Sequence, residues 1–311
     1  MSTEVAQEQP ADTISVVVVS YACATTLPEC VARVLDSQHI KQLLLVDNAP
    51  GDGSVSALAA SERNDPKLTL IDNPGNPGFA NACNLAAKRA TGEWLAFLNP
   101  DCYLPYGATE QLLQSAAGLV NLGLLGALLV DRNGRPEPAS LRRDPTPLRA
   151  VLSAIGGNRL ARILDRPDWA ISIPPPKVAG LVEVQALSGA LMLIRRADYL
   201  RLDGLDEGYF LHCEDLDLCR RARQAGLTNY VDTRVVVPHW KGTSSAGQPL
   251  TVAWHKHRGM LRYYRRFDAA NTPPFLRAAL VAGAWARVLL MSPWLALKQA
   301  IRRSRRVPWV R

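Results

Sequence analysis

The amino-acid sequence predicts an α/β fold in which helices flank an open, mixed but mostly parallel β-sheet. Short β-branched apolar runs alternate along the chain with segments of helical pattern, as in sheets built from right-handed crossovers. Polar residues follow the ends of several runs, at the edge where such sheets bind ligands. The chain has 311 residues, 48% hydrophobic and 21% charged, which suits one large domain or two small ones.

The N-terminal part of the chain contains the clearest elements. Ile14–Ser20 is a β-branched run of the kind found in strands that are buried on both faces. Thr26-x-x-Glu29 predicts a capping box that begins a helix reaching about Ser37. Further strands are predicted at 43–46, 68–71 and 94–98, and an alanine-rich helix at 79–90.

The second half of the predicted domain is less regular. Residues 132–176 are rich in Pro and Arg and are expected to form loops and short helices. Strand character returns at 182–194, where Ser188-Gly189 interrupts an apolar run, and a helix is predicted at 216–225.

Charge and cysteine content exclude several classes of protein. The net charge of +8 comes from residues 250–311, which contain 13 Lys and Arg against one acid, Asp268. The preceding residues hold 23 basic and 27 acidic side chains, so we expect no nucleic-acid partner. The six cysteines form no C-x-x-C pair, which argues against a zinc site of that type and against a disulfide framework. Residues 1–13 lack the basic start of a secretory signal, so we expect a cytoplasmic core.

Two polar segments after predicted strands could contact a nucleotide. Asp47-Asn48 precedes a Gly-rich turn, and its carboxylate can accept a hydrogen bond from a nucleobase or a ribose; the alternative is an Asx-type turn. The Gly- and Pro-rich segment 73–84 opens a helix whose positive end suits a diphosphate. That segment by itself matches neither a Walker nor a dinucleotide fingerprint.

Three further positions carry groups for cation binding or proton transfer. Asp101, in Asn99-Pro-Asp, is a natural ligand for a hard cation, or else an aspartate in a turn. Glu214 and Asp215 are adjacent carboxyl groups that can supply a general base, or else form the acidic first turn of a helix. His239 follows a strand and is either a ligand or a structural histidine.

The order of the motifs is more specific than any one of them. Five follow one another along the chain: Asp-Asn…Asp-Gly-Ser, Asn-Pro-x-Asn-x-Gly-Phe-Ala, Leu-Asn-Pro-Asp, Ser-Gly-Ala-Leu-Met-Leu-Ile-Arg-Arg and Phe-Leu-x-x-Glu-Asp-Leu-Asp-Leu-Cys-x-Arg. In this combination the chain resembles the family-2 inverting glycosyltransferases with a GT-A fold, particularly bacterial rhamnosyltransferase-like members. The resemblance covers about residues 14–245 and implies a Rossmann-like nucleotide-binding half.

The resemblance also implies roles for individual residues. Asp47 is similar to the nucleobase-binding Asp of the family, Asp101 to its metal-binding Asp and His239 to its late metal or diphosphate ligand. Asp215, beside Glu214, is similar to the catalytic base. The implied nucleotide-sugar site comprises Ser20, Asp47, Asn48, Asn76, Gly78, Asn84, Asn99 and Asp101.

Three positions depart from the family pattern. Ser20-Tyr21-Ala22 stands where Asn-Tyr-Asn is frequent, which weakens the assignment of a nucleotide contact there. Asn99 replaces the first Asp of the Asp-x-Asp motif, so metal affinity would depend more on His239 and the donor phosphates. Pro50 stands where Ser is common, which we interpret as a variation of the turn.

The activity implied by the resemblance is an inverting transfer of a sugar from a nucleoside diphosphate, assisted by Mg²⁺ or Mn²⁺. The donor is expected to be a dTDP- or UDP-sugar, with dTDP-L-rhamnose first, and the acceptor a glycan or lipid-linked hydroxyl in cell-surface polysaccharide synthesis. The alternative is a non-catalytic, membrane-associated protein that binds sugar nucleotides with the same fold. A nucleotidyltransferase is set aside, because the loop after the first strand contains no cation.

The expected domains are a flexible N-terminus at 1–13, a GT-A domain at 14–249 and a basic, amphipathic helical extension at 250–311. The longest uncharged run of the extension, Val288–Leu297, is too short to span a bilayer. An apolar face followed by clustered arginines predicts peripheral binding to the anionic inner face of the cell membrane. The alternative is packing of this helix on the domain or on a second copy in a homodimer.

Overall fold

The computed structural model describes residues 13–156, 161, 163–240 and 248–304, so most of the expected flexible N-terminus lies outside the described residues. The strands are β1 (Ile14–Ser20), β2 (Ile40–Asp47), β3 (Leu68–Asp72), β4 (Trp94–Leu98), β5 (Leu122–Val130), β6 (Leu141–Arg142), β7 (Leu181–Val184), β8 (Ala186–Leu187), β9 (Leu191–Arg195) and β10 (Thr228–Pro238). The helices are α1 (Leu27–Leu35), α2 (Ala60–Arg63), α3 (Phe79–Ala87), α4 (Ala108–Ala117), α5 (Pro147–Ala154), α6 (Arg196–Arg201), α7 (Glu214–Gln224), α8 (Pro249–Phe267) and α9 (Pro274–Ser304). Three 3-10 turns lie at Val55–Ala57, Pro167–Trp169 and Ala269–Asn271.

The predicted open, mostly parallel sheet is confirmed. Eight strands pair in the order β3-β2-β1-β4-β9-β5-β10-β7. The neighbours among β3, β2, β1 and β4 are parallel, as are β5 and β10, whereas β9 and β7 run in the opposite direction. Because Ser20 is in register with Asp47 and Val18 with Leu98, the carboxyl ends of β1, β2 and β4 lie at one edge.

Alternation along β1 divides the core into two layers. Val17 and Val19 face the layer that contains α3 and α7, and Val16 and Val18 face the layer that contains α1 and α4. All four side chains are buried, which confirms the prediction of a strand covered on both faces.

The expected capping box at the start of α1 is wrong. Thr26 has helical backbone angles and its side chain accepts no capping hydrogen bond. The Thr26 hydroxyl instead donates to the Cys23 carbonyl, and Glu29 pairs with Arg33 one turn along the helix at 2.7 Å. The helix begins because Pro28 suits its first turn and because Leu27 and Val31 are buried on its inner face.

Helix α8 packs directly on the core of the domain. Tyr263 is fully buried, and Arg220 of α7 donates to Asp268 just after α8 at 2.9 Å. A Cβ on Gly259 would lie 2.8 Å from the His212 carbonyl, so this glycine permits the close approach of α8 to the segment before α7. We therefore propose that the domain extends to about residue 272 instead of ending at 249.

Helix α9 continues without a break through Pro293. Its stretch Pro274–Ile301 has 28 residues and a mean hydropathy of 1.5, and is long and apolar enough to cross a membrane by length and composition. The length argument from the uncharged run Val288–Leu297 is therefore wrong, because a single Arg287 separates that run from the apolar residues before it.

Candidate active site

The segment after β4 and the end of β10 meet at the ligand-binding edge of the sheet. Cys102 and His239 form an isolated antiparallel bridge, the Tyr103 N–H donates to the Pro238 carbonyl at 3.0 Å, and the Trp240 N–H donates to the Asp101 carbonyl at 2.9 Å. These backbone bonds connect residues that are far apart in sequence. They bring Asp101 and His239 together, as the sequence predicts for a shared site.

Asp101 and His239 form a buried pair with a third member, Glu137. His239 Nε2 lies 3.2 Å from Asp101 Oδ1, and His239 Nδ1 lies 3.1 Å from Glu137 Oε2. Burial alone would lower the pKa of His239, but the hydrogen bonds and charges of Asp101 and Glu137 outweigh it and raise the pKa. The two carboxylates therefore fix the orientation of the imidazole ring.

The chemistry of this cluster fits a divalent cation. Asp101, Cys102 and His239 offer ligand atoms within 4.8 Å of one another, and all three residues are buried. Burial raises the pKa of the Cys102 thiol well above its usual value, and a soft sulfur ligand suits Mg²⁺ or Mn²⁺ less well than oxygen or nitrogen does. A carboxylate oxygen and an imidazole nitrogen remain, a donor set that Mn²⁺ or Mg²⁺ can use together with phosphate oxygens.

The Asp215 carboxylate lies at the start of α7 and is strongly anchored. Its Oδ2 accepts hydrogen bonds from Arg142 Nη2 at 2.5 Å and from the Gly189 N–H at 2.9 Å, and its Oδ1 accepts from the Leu216 N–H at 2.8 Å. Burial opposes ionisation, but the charge and hydrogen bond of Arg142 outweigh it and lower the pKa of Asp215. Asp215 is therefore ionised at neutral pH.

The neighbouring Glu214 has the opposite environment. It is buried, and its Oε2 has no hydrogen-bond partner among the described residues. Burial and the adjacent charge of Asp215 raise the pKa of Glu214 to about 8. Adjacent carboxyl groups with separated pKa values are the arrangement that assigns a base and a neutral neighbour in many active sites.

The backbone before these carboxyl groups has an unusual conformation. His212 and Cys213 have φ values of 69° and 77°, which is rare for residues other than glycine. α8 supports this segment, since the Phe210 and His255 rings stack at 4.2 Å. Non-glycine residues in this region persist only when the surrounding packing fixes them, and they are found most often at functional sites.

The loop after β2 is stabilised by its own polar side chains. Asn48 donates to Asn76 Oδ1 at 3.2 Å and accepts from Asn73 at 2.9 Å. Asp47 Oδ1 accepts from the Ala49 N–H at 3.1 Å, as in the Asx-type turn considered from the sequence, and burial raises the pKa of Asp47. Asp47 and Asn48 therefore adjoin the segment 73–78, as expected for one binding loop.

Asp52 and Ser54 of the same loop reach across to the segment after β1. Asp52 Oδ2 accepts from the Ala22 N–H at 2.6 Å, and the Ser54 hydroxyl accepts from the Cys23 N–H at 2.9 Å. Ser20 is fully buried beside Cys23, with its hydroxyl 3.5 Å from the Cys23 sulfur. The Asp-Gly-Ser motif therefore fixes the position of the loop that follows Ser20.

The expected diphosphate site at the start of α3 stays a prediction, and the structure shows that one of its backbone donors is already used. The Phe79 N–H, the first of the helix, donates to the Phe210 carbonyl at 3.0 Å. Gly78 has a φ of 108°, and a Cβ there would lie 2.7 Å from that carbonyl oxygen. Gly78 thus allows contact between the 73–78 segment and the segment that leads to Asp215, and the first N–H of α3 is bonded within the protein.

Asn84 uses its whole amide group within the protein. Its Oδ1 accepts from the Tyr199 hydroxyl at 2.6 Å and from the Leu205 N–H at 3.0 Å, and its Nδ2 donates to Leu205 and Glu207. These four bonds exhaust the hydrogen-bonding capacity of an amide and favour a structural role. Asn99 lies nearer the site, since its N–H donates to the Ala190 carbonyl just after Gly189. Both assignments to the donor stay predictions.

Comparisons with known proteins agree with this geometry. Residues 15–148 match the sequence profile described as Glycosyl transferase family 2. The chain is 28% identical over 311 residues to the N-acetylglucosaminyl-diphospho-decaprenol L-rhamnosyltransferase of Mycobacterium tuberculosis, covering 95% of this chain and 96% of that protein. It is 26% identical over 157 residues to rhamnosyltransferase WbbL of Escherichia coli, covering 48% of this chain and 56% of that protein.

Solved structures show the same fold. A mannosyltransferase from Pyrobaculum calidifontis, solved with GDP-Man and Mn²⁺, has a TM-score of 0.56 and 18% identity, covering 94% of this chain and 77% of that chain. Residues 1–349 of S. aureus TarS have a TM-score of 0.50 and 16% identity, covering 93% of this chain and 87% of that chain. These structures show that the chain has the GT-A fold, and the sequence similarities identify a glycosyltransferase. Residues 15–148, less than half of the chain, thus match glycosyl transferase family 2, and the chain as a whole is similar to a rhamnosyltransferase.

Proposed function

We propose that this enzyme transfers L-rhamnose from dTDP-L-rhamnose to a hydroxyl of an N-acetylglucosaminyl-diphospho-lipid in cell-wall polysaccharide synthesis. The similarity to the Mycobacterium tuberculosis rhamnosyltransferase supports the sugar and the acceptor, because it extends over nearly the whole of both chains. The observation that carries the proposal is an anchored, ionised Asp215 in the same domain as the Asp101–His239 pair.

The donor side supplies recognition of the nucleotide. Asp47 and Asn48 at the end of β2 are suited to the nucleobase and ribose, since a carboxylate and an amide offer acceptors and donors at a strand end. Asp101 and His239 would hold a divalent cation, which offsets the charge that develops on the departing diphosphate. Glu137 keeps His239 oriented for that purpose.

The acceptor side supplies the base. Asp215 takes the proton of the acceptor hydroxyl while that oxygen forms a bond to the anomeric carbon. The bond from this carbon to the diphosphate oxygen breaks, and the diphosphate leaves with the electron pair. A single displacement inverts the configuration at the anomeric carbon. Glu214, neutral below a pKa of about 8, adds no second negative charge beside the base near pH 7.

Calorimetric titration with dTDP, UDP and GDP, each with and without Mn²⁺ or Mg²⁺, tests the donor site. We expect dTDP to bind most tightly and to require the cation. Preference for UDP or GDP would contradict the rhamnosyl donor while retaining the enzyme class. Binding of dTDP without transfer to any N-acetylglucosaminyl-diphospho-lipid would contradict the acceptor assignment and favour the non-catalytic alternative.

A second proposal concerns α9, which we infer binds the anionic inner face of the membrane. Leu290, Trp294 and Leu297 are 82%, 59% and 60% exposed, whereas Val288 and Leu295 are buried on the other face. Only 11% of the apolar window of this helix is buried. A protein in water rarely leaves so many large apolar side chains uncovered, and the net positive charge of residues 250–311 is complementary to anionic lipid.

The packing of α9 on α8 supports an orientation towards the lipid-linked acceptor. Trp285 packs on Trp254 with ring centroids 4.6 Å apart, and Arg287 lies 3.1 Å from His257. The middle of α9 therefore lies beside the first half of α8. Gln248, just before α8, donates to Tyr21 after β1 at 3.4 Å, so this end of α8 adjoins the ligand-binding edge. The basic cluster of residues 302–311 has side chains outside the described residues.

Flotation with vesicles of phosphatidylglycerol, compared with phosphatidylcholine, tests this membrane surface. We expect the full chain to bind the anionic vesicles, and we expect a 1–272 truncation and Leu290→Glu to bind much less. Val120→Glu is the matched control, because Val120 is 98% exposed at a distant position. Equal flotation of the full and truncated proteins would contradict the proposal. A concentration-dependent dimer that L290E abolishes, without vesicle binding, would assign the face to a second copy.

A further inference from the structure

Arg142 forms a buried ion pair with Asp215, although Arg142 belongs to none of the five sequence motifs. The side chains of Arg142 and Asp215 are only 14% and 12% exposed, and Nη2 lies 2.5 Å from Oδ2. The same Nη2 also contacts the Leu187 carbonyl, and Arg142 Nε is buried without a partner among the described residues. A guanidinium placed in this way holds a carboxylate in one orientation.

The bonds to Asp215 leave one position open on its carboxylate. An ionised carboxylate offers about four acceptor positions, two on each oxygen. Oδ2 uses both of its positions for Arg142 and Gly189, and Oδ1 uses one for the Leu216 N–H. A Cβ on Gly189 would lie 3.2 Å from the Cβ of Asp215, so glycine permits this close approach. Among the described residues no donor is recorded for the remaining lone pair of Oδ1, which can therefore accept a proton.

Arg142 comes from the irregular part of the chain and is fixed to the body of the domain. It belongs to β6, which pairs with β8, where Arg142 is opposite Ala186. Two residues later, Asp144 accepts from Arg223 of α7 at 2.5 Å. The segment that carries Arg142 is thus bound to the helix that carries Asp215.

We propose that Arg142 is a positioning residue for the transfer reaction: it fixes Asp215 through Oδ2, so that the remaining lone pair of Oδ1 faces the acceptor hydroxyl. This inference rests on the proposed role of Asp215 as the base. Arg142 does not touch the reacting atoms and acts through the carboxylate. Because Arg142 lies in β6, the position of the base also depends on the pairing of β6 with β8.

The titratable and charged groups around Asp215 determine its pKa, and through it the pH dependence of the reaction. Arg142 faces Asp215 from β6, and Glu214 and the Cys219 thiol lie on α7 itself. The Cys213 thiol precedes α7, with Lys256 of α8 beyond it. Arg142 provides the favourable charge that lowers the pKa of Asp215 against the cost of burial. Its removal therefore raises the pKa of Asp215 and moves the acidic limb of the kcat/KM profile to higher pH.

Steady-state kinetics across pH test this, with dTDP-L-rhamnose and N-acetylglucosaminyl-diphospho-decaprenol as substrates. We expect Arg142→Gln to lower kcat about 10²-fold, the cost of misplacing a catalytic group, and to move the acidic limb upward. Arg142→Lys should have a kcat and an acidic limb between those of R142Q and the wild type, because lysine keeps the positive charge but lacks the planar guanidinium group. Arg201→Gln is the control, because Arg201 pairs with Asp198 on the exposed side of α6 and should leave both unchanged.

The double variant R142Q/D215N separates a positioning role from an independent one. If Arg142 acts through Asp215, the double variant is no slower than D215N alone. A further loss in the double variant, or a change confined to KM with an unmoved acidic limb, overturns the inference. If R142Q fails to fold, the same test is made with R142K: the inference requires a lower kcat and an acidic limb of the kcat/KM profile that is shifted from that of the wild type. Absence of transfer by the wild-type enzyme would contradict the proposed function, whereas an active wild type with a wild-type-like R142Q overturns only this inference.

Discussion

The donor side and the acceptor side of this site are held in place by different forces. On the donor side, backbone bonds join the loops: the Asn48 N–H donates to the Ser20 carbonyl at 3.0 Å, and the Asn73 N–H to the Asp47 carbonyl at 2.8 Å. On the acceptor side, ion pairs between side chains join distant segments, including Arg142–Asp215 at 2.5 Å. Apart from the Asp101–His239–Glu137 cluster, the donor side is thus positioned mainly by hydrogen bonds to backbone groups, and the acceptor side by buried ion pairs.

This difference predicts where single substitutions act. Removal of a side chain from a loop that is held by backbone bonds changes recognition and leaves the loop in place. Removal of one member of a buried ion pair leaves the other charged and uncompensated, typically at a cost of about 3–5 kcal/mol. The acceptor side also contains Arg266–Asp217 at 3.1 Å, where Asp217 is fully buried, so α8 contributes to the same charge network.

The largest effect is expected from Asp215→Asn. Because the amide cannot take the acceptor proton, kcat should fall about 10³-fold or more. The affinity for dTDP with Mn²⁺ should stay unchanged, since the donor side is held independently. Transfer assays and calorimetry measure the two quantities. Asp203→Asn is the matched control, because Asp203 is exposed and its φ of 58° suits asparagine. Turnover by D215N close to that of the wild type would remove Asp215 from the mechanism.

The next largest effect is expected from Asp101→Ala. Loss of the only carboxylate in the Asn-Pro-Asp motif should weaken Mn²⁺-dependent dTDP binding about 10²-fold and leave cation-independent binding unchanged. Calorimetry with Mn²⁺ and with a chelator measures both. Asp36→Ala, at an exposed position just after α1, serves as the control. An unchanged affinity of D101A in Mn²⁺ would place the cation elsewhere.

A smaller, pH-dependent effect is expected from Glu214→Gln. The folded-state pKa of Glu214, about 8, lies above its usual value of 4.5, so this group stabilises the protein fully below pH 4.5 and loses that contribution as pH rises towards 8. The variant should therefore gain stability relative to the wild type between pH 5 and pH 8, by about 3 kcal/mol at pH 7, and no further above pH 8. Urea unfolding at a series of pH values measures this, and a difference that is independent of pH would contradict the buried, neutral state.

The smallest effect is expected where the two sides meet, at Gly78. In Gly78→Ala, the new Cβ would lie 2.7 Å from the Phe210 carbonyl oxygen at a φ of 108°, which should cost roughly 1–3 kcal/mol of stability. Gly75→Ala is the matched control, because its φ is 85° and its Cβ would meet no atom within 4 Å. Equal thermal midpoints for the two variants would show that the contact with Phe210 is unimportant.

The donor side could be predicted from the sequence because it depends on local patterns. Apolar runs gave the positions of β1, β2 and β4, and parallel pairing places their polar ends at one edge, where Asp47 and Asp101 lie. The strands β5 and β10 were not predicted as a pair, because β5 is Leu-rich and its parallel partner lies about a hundred residues further along. Such pairing depends on tertiary structure.

The acceptor side could be predicted only in part. Asp215 and Glu214 stand out as adjacent acids, whereas Glu137, on the donor side, and Arg142 are single charged residues in an irregular segment. Their partners lie 102 and 73 residues away, at distances that no local pattern encodes. The sequence pattern did not predict that α8 packs on the domain. The basic composition of this helix indicated a solvent-exposed extension, whereas Leu261 and Tyr263 lie on a buried face.

The anomeric configuration of the product tests the central claim most directly, because a single displacement by an acceptor hydroxyl that Asp215 deprotonates can give only one result. Nuclear magnetic resonance measures this configuration. The product is formed from dTDP-L-rhamnose and N-acetylglucosaminyl-diphospho-decaprenol by the wild-type enzyme and by D215N. We predict a glycosidic bond of inverted configuration with wild type, and product formation that is about 10³-fold slower or more with D215N. A product of retained configuration, or equal product with both proteins, would contradict the account.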